Sequence, residues 1–232
     1  MDLNANPSTS AIIDEVVKEA TAEAVKPDET VDADLKMDPL EERQTREALY
    51  SAEVLEEKRL AGEEKKAAGN TEFGIGNWSD AVKLYDEALE TCPLQFTEER
   101  ATYLANRAAA YMKMEEWPKA IDDCTEAIKL GPKNSKALAR RAICYTKDDK
   151  DLDKAIEDYK KLREMDPENR TYSSEIASLE RRLQDRNEKL KDEMFGQMKK
   201  LGNMFLKPFG LSTDSFQLEP QPGGGYSVNM KK

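Results

Sequence analysis

The chain has 232 residues, with 36 basic against 47 acidic side chains and a net charge of −11 at pH 7. That balance disfavours nucleic acid or an anionic membrane as the partner of the whole molecule. Histidine is absent, which removes the commonest general base, the commonest nitrogen metal ligand and the usual catalytic triads.

Residues 1–46 carry 12 acidic and 5 basic side chains, so −7 of the −11 lies there. Residues 1–40 contain no aromatic side chain and cannot bury enough apolar surface to offset their ordering entropy, which predicts a disordered acidic tail. The N-terminus lacks a basic segment followed by an apolar run, so no signal peptide is expected. A leading helix is expected over 41–61, in a Glu/Lys/Ala-rich run that ends near Gly74 and Gly76 as one long helix or two in series.

An internal repeat follows. Ala81, Ala120 and Ala155 are each followed four residues on by Tyr85, Cys124 and Tyr159, then by Ala88, Ala127 and Leu162, and finally by Pro93, Pro132 and Pro167. The units lie 39 and 35 residues apart. The first Ala lets the two helices of a unit approach closely, the aromatic and second small position fill the gap to the next unit, and Pro ends the second helix. This pattern resembles the tetratricopeptide repeat family, whose helix-turn-helix units of about 34 residues stack into a superhelix. The resemblance implies an all-α fold with three repeats across 62–168 (approximately 62–95, 101–134 and 135–169). In the first repeat Lys65 and Ala68 stand where the family usually has Trp and Leu, while Gly69 is in place. A capping helix is expected over 170–206, with Ile176, Leu179, Leu183 and Leu190 as its apolar stripe, which Met194, Met198, Leu201 and Phe205 extend. Residues 207–232 read as a tail in which SFQLE and YSVNM flank PQPGGG, a possible small β-hairpin.

The first helix of each repeat carries polar residues the fold does not require. Lys66 and Asn70 share one helical face, Asn106 lies mid-helix in the second repeat, and Lys136 and Arg140 share a face in the third. The array K-x3-N, then N, then K-x3-R resembles the two-carboxylate clamp of chaperone-binding tetratricopeptide proteins. That resemblance implies a ligand: the acidic C-terminal tail, ending Glu-Glu-Val-Asp, of Hsp90 or Hsp70. It also implies roles. Lys66, Asn70 and Asn106 hold the terminal carboxylate, Lys136 and Arg140 reach the last side-chain carboxylate, and Phe73 and Ala109 line an apolar contact. Charge-assisted hydrogen bonds of this kind contribute roughly 1.5–3 kcal/mol each. Lys65, Arg107 and Arg141 fall outside the spacing and are expected to be rim or structural.

The motif K-L-G-N-x2-L-x-P-F-G-L-S-T-x2-F-Q near the C-terminus resembles a member of the same co-chaperone group, and implies contacts with G-protein α subunits and Ras-type GTPases. Cys92, Cys124 and Cys144 show no metal-ligand spacing, and their odd number suggests reduced thiols and a cytoplasmic home. No P-loop, GxSxG or paired catalytic carboxylates are present, so the expectation is a non-enzymatic adaptor without a cofactor.

Overall fold

The structure is a computed structural model, and it describes residues 38–220 and 226–230. Most of the expected acidic tail and the hairpin loop lie outside the described residues. The chain divides into two compact units, residues 1–144 and 145–232.

In the first unit, α1 (Pro39–Glu47) starts at an Asp38 N-cap whose carboxylate accepts from Leu40 N–H at 2.8 Å, with Pro at the first turn. A break at 48–51 separates it from α2 (Ala52–Gly74), which starts at Ser51. The leading segment and the first repeat therefore share α2, which runs unbroken through residue 62. Next come α3 (Trp78–Thr91), α4 (Thr97–Lys113), α5 (Trp117–Leu130) and α6 (Ser135–Tyr145). The repeat positions form the core: Ala81, Ala88, Ala120, Cys124 and Ala127 are fully buried.

Close approach explains two glycines on α2. A Cβ at Gly69 would lie 2.7 Å from the Tyr85 ring, and one at Gly62 would lie 2.9 Å from Cys92 Cβ. Gly in a helix interior is disfavoured by about 1 kcal/mol relative to Ala, and the packing of α2 on α3 offsets this. The turns between paired helices are reversed by a left-handed residue two positions before the next Trp: Gly76 (φ 90) before Trp78 and Glu115 (φ 60) before Trp117.

α1 docks on the C-terminal end of α3. Arg43 donates to the carbonyls of Leu89 (3.2 Å), Glu90 (3.1 Å) and Cys92 (2.7 Å) and pairs with Glu47, which accepts from Leu94 N–H at 2.6 Å. Arg100 donates to two of the same carbonyls, Leu89 at 2.5 Å and Cys92 at 2.9 Å. Two guanidinium groups thus satisfy carbonyls that the helix end leaves orphaned, at the negative pole of its dipole.

In the second unit a short 3₁₀ turn (Asp149–Asp151) leads into α7 (Leu152–Met165), which packs on α8 (Arg170–Leu206). Leu152, Ala155, Ile156, Tyr159 and Leu162 are buried, as are Ile176 and Leu179. The Tyr159 and Tyr172 rings lie 6.3 Å apart. Arg182 reaches Asp149 at 2.7 Å, and Arg186 donates to the Asp149 carbonyl. From Gln184 on, all but Arg186, Gly202, Asn203 and Leu206 of α8 are exposed. Two 3₁₀ turns (Lys207–Phe209 and Thr213–Ser215) then reverse the chain into the antiparallel hairpin of β1 (Phe216–Pro220) and β2 (Tyr226–Met230), in register Phe216↔Met230 to Pro220↔Tyr226.

Candidate functional site: a donor-lined face on α2, α4 and α6

Each first helix of a repeat presents its polar residues because the opposite face is consumed by small core residues. On α4, Ala105 and Ala108 are buried and Asn106 is half-buried; on α6, Ala137 and Leu138 are buried while Lys136 is exposed and Arg140 half-buried.

The polar groups are wired together. Asn70 Oδ1 accepts from the Tyr85 hydroxyl at 2.7 Å and from Asn106 Nδ2 at 3.1 Å. Arg140 donates to the Ala105 carbonyl, adjacent to Asn106, at 2.6 Å. These contacts fasten α2 to α4 and α6 to α4, so four of the expected residues, Lys66 (on the turn before Asn70), Asn70, Asn106 and Arg140, belong to one connected face. With its oxygen used twice, the Asn70 amide has only its N–H groups left to offer. Lys136 lies one turn before Arg140 and has no ion-pair partner among the described residues.

Burial lowers the Arg140 pKa below that of an ordinary guanidinium, with the neighbouring Cys124 and Tyr85 opposing the shift. It remains a cation at neutral pH. Burial raises the Tyr85 phenol pKa, and the nearby charge of Arg140 pulls it back. Tyr85 therefore stays neutral and serves as a donor that orients Asn70.

Three residues that spacing alone does not assign to this face, Glu63, Tyr85 and Tyr103, enter here. Glu63 pairs with Lys66 and accepts from the Tyr103 hydroxyl at 2.9 Å. Burial raises the pKa of its carboxyl, but the hydrogen bonds from Lys66 and Tyr103 outweigh burial and leave it below the usual range. Glu63 thus holds Lys66 in place and offsets its charge. It stands three residues before Lys66, and that spacing was the available signal. Tyr85 and Tyr103 gave none, because an aromatic at a repeat position reads as core.

The remaining expectations fall as follows. Phe73 packs against the cluster of Ala81 and Tyr85 on α3 and Ala110 on α4, and Ala109 is half-buried on α4. Lys65 pairs with Glu87 at 2.5 Å, and Arg141 donates to Thr125 Oγ1 at 3.0 Å. Arg107 makes a bidentate contact with Asp123 (2.8 and 2.6 Å) and a further bond to Asp86, joining α4 to α5 and α3. All three have structural partners.

No cluster of three or more candidate metal ligands occurs among the described residues. No described helix is long and apolar enough to cross a membrane.

Residues 101–134 match the tetratricopeptide repeat family. The fold is that of a tetratricopeptide repeat protein. The chain is 34% identical over 129 residues to rat sperm-associated antigen 1, which covers 56% of this chain and 14% of that protein. It is 39% identical over 82 residues to human mitochondrial import receptor subunit TOM70, covering 35% of this chain and 14% of that protein. The chain therefore spans about a seventh of the length of these relatives. Among solved structures, the Hsp90 co-chaperone Cns1 from Saccharomyces cerevisiae matches with a TM-score of 0.54 and 22% identity, covering 66% of this chain and 48% of that one.

Proposed function

We propose that the face formed by Lys66, Asn70, Asn106, Lys136 and Arg140 binds the free C-terminus of an acidic peptide ending in Asp, of the Glu-Glu-Val-Asp kind carried by Hsp90 and Hsp70, and that the protein is a non-enzymatic cytoplasmic adaptor. The observation that carries this reading is the Tyr85–Asn70–Asn106 chain of hydrogen bonds together with Arg140 on Ala105. It ties donors from three helices into one face and leaves the Asn70 N–H groups and the Lys136 ammonium free to meet an anion. A terminal Asp supplies two carboxylates, matching a face with three cations and two amides.

Lys136→Ala is the cleanest test, because that side chain is exposed and holds no partner among the described residues. Loss of one charge-assisted hydrogen bond is expected to weaken calorimetric affinity for such a peptide by about tenfold or more, with the thermal midpoint unchanged. Equal affinity of variant and parent would sink the reading.

The alternative is a scaffold that binds a G-protein α subunit or a Ras-type GTPase through the repeat groove or the C-terminal segment. It rests on the C-terminal motif Lys200 to Gln217, which resembles that of tetratricopeptide repeat protein 1. A pull-down with Lys136 and Arg140 both replaced separates the two readings: a GTPase retained while the chaperone tail is lost places the GTPase site elsewhere on the chain.

A further inference from the structure

The second half of α8 carries an apolar stripe that stands exposed among the described residues. Leu190, Met194, Met198, Leu201 and Phe205 follow one another at spacings of four, four, three and four, which is a single line on a helix of 3.6 residues per turn. Each is more than half exposed, from 52% at Leu201 to 73% at Phe205, and Phe195 (59%) and Met204 (64%) flank the line on either side.

The returning chain packs along one flank of the stripe. Thr213 N–H donates to Asn203 Oδ1 at 2.5 Å, Lys199 pairs with Asp214 at 2.6 Å, and a Cβ at Gly202 would meet Thr213 Cγ2 at 2.6 Å. Asn203 projects about half a turn away from Met194, while Thr213 and Asp214 line one cleft with Phe195 and Met198, so the 3₁₀ turn that leads into the hairpin packs along one flank and leaves the other side of the stripe open.

We infer that a second copy of this chain covers the stripe, with the two α8 helices running antiparallel. The spacing reverses onto itself: Leu190 of one copy meets Phe205 of the other, Met194 meets Leu201, and Met198 lies beside its own counterpart near the two-fold axis. A dimer of this kind is isologous, so every contact occurs twice. Charge selects the direction. Glu193 and Lys200 lie on the same side of the stripe, and the antiparallel arrangement places Glu193 of each copy opposite Lys200 of the other. In a parallel pair the two-fold along the helix axis sets this side against the opposite flank, which carries Phe195, so Glu193 and Lys200 do not face one another.

Seven large side chains, each presenting on the order of 100 Å², set an upper bound near the roughly 800 Å² per partner of a standard interface, with Phe195 and Met204 at its two opposite rims. An anionic bilayer fits less well, because Asp192, Glu193 and Asp214 alternate with the lysines and the whole chain carries −11.

Light scattering coupled to size exclusion on the full chain, at micromolar to tens of micromolar concentration, is expected to return twice the 26.3 kDa chain mass. Met198→Glu changes an exposed position and is expected to give the monomer mass with unchanged helicity. Glu193→Lys is expected to raise the dissociation constant about tenfold by setting like charges opposite one another, and adding Lys200→Glu is expected to restore it. A monomer throughout this range overturns the inference, as does a dimer indifferent to Met198→Glu or a charge reversal that the second change does not rescue. A monomer that co-sediments with phosphatidylserine vesicles assigns the stripe to a lipid surface and overturns it equally.

Discussion

Lys136 and Arg107 are cations on neighbouring repeats, and their partners tell them apart. Arg107 is held by Asp123 and Asp86. Burial pushes the Asp123 carboxyl above its ordinary value and Arg107 pulls it back. The Arg107 pKa is lowered by burial but raised further by the two carboxylates, ending above the ordinary guanidinium value. Removing one member strands a buried charge, so Arg107→Ala is expected to cost about 3 kcal/mol of stability, read as a lower urea midpoint. Lys136→Ala leaves the urea midpoint where it was. Arg140 sits between these cases, because its bond to the Ala105 carbonyl gives it a structural share.

Two further predictions belong to single residues. Glu115 adopts φ 60, where its counterpart one repeat earlier is Gly76 at φ 90. Glu115→Gly is therefore expected to raise stability by about 0.5–1 kcal/mol by relieving a left-handed conformation, and an unchanged or lower thermal midpoint would contradict it. The thiols set an alkaline limit. Burial pushes the Cys92 thiol up to about 11 and the Cys124 thiol up to about 12. Unfolded thiols ionise near about 8.5. Above that value the unfolded chain releases protons that the folded chain keeps, so this contribution is fully present below about pH 8.5 and is lost as pH rises toward 11 and 12. Urea midpoints are expected to fall between about pH 8 and 10; a Cys92→Ala variant is expected to show a shallower fall.

At the scale of elements, Ala and Pro made the repeats readable. Small residues appear where two helices touch, as at Ala81, Ala120 and Ala155, and Pro where a helix must stop, so the helical pairs follow from spacing alone. The hairpin was readable for the same local reason, since Pro and Gly separate two strand-like runs. What escaped depended on distant parts of the chain. Nothing near Arg43 in the sequence shows that it reaches carbonyls 46 to 49 residues away. The charged run from 39 to 74 reads equally as one helix or two, and the structure breaks it at 48–51 because α1 turns to cap α3. Of the candidate site, Lys66, Asn70, Asn106, Lys136 and Arg140 were visible as polar residues at fixed spacing. Glu63, Tyr85 and Tyr103, which orient them, were not, because a Glu in a Glu/Lys run looks like solvated surface and a Tyr at a repeat position looks like core. If α1 caps α3 as the geometry shows, Arg43→Ala is expected to lower stability by about 1–2 kcal/mol through the lost charge-assisted bonds, and a thermal melt indistinguishable from the parent would contradict that role.

At the scale of the whole molecule, the first unit carries the donor face of Lys66, Asn70, Asn106, Lys136 and Arg140, and α8 of the second carries the exposed stripe from Leu190 to Phe205. An ionic ligand on the first is expected to weaken as salt rises, and an apolar contact on the second is expected to hold or tighten. The central claim is that the donor face reads the end of a peptide. The most direct measurement is a calorimetric titration of the full chain with an acidic peptide ending in Asp, beside the same peptide amidated at its C-terminus. The geometry predicts that amidation, which removes one carboxylate and changes nothing else, weakens binding by at least about tenfold. Equal affinity for the two peptides would contradict it.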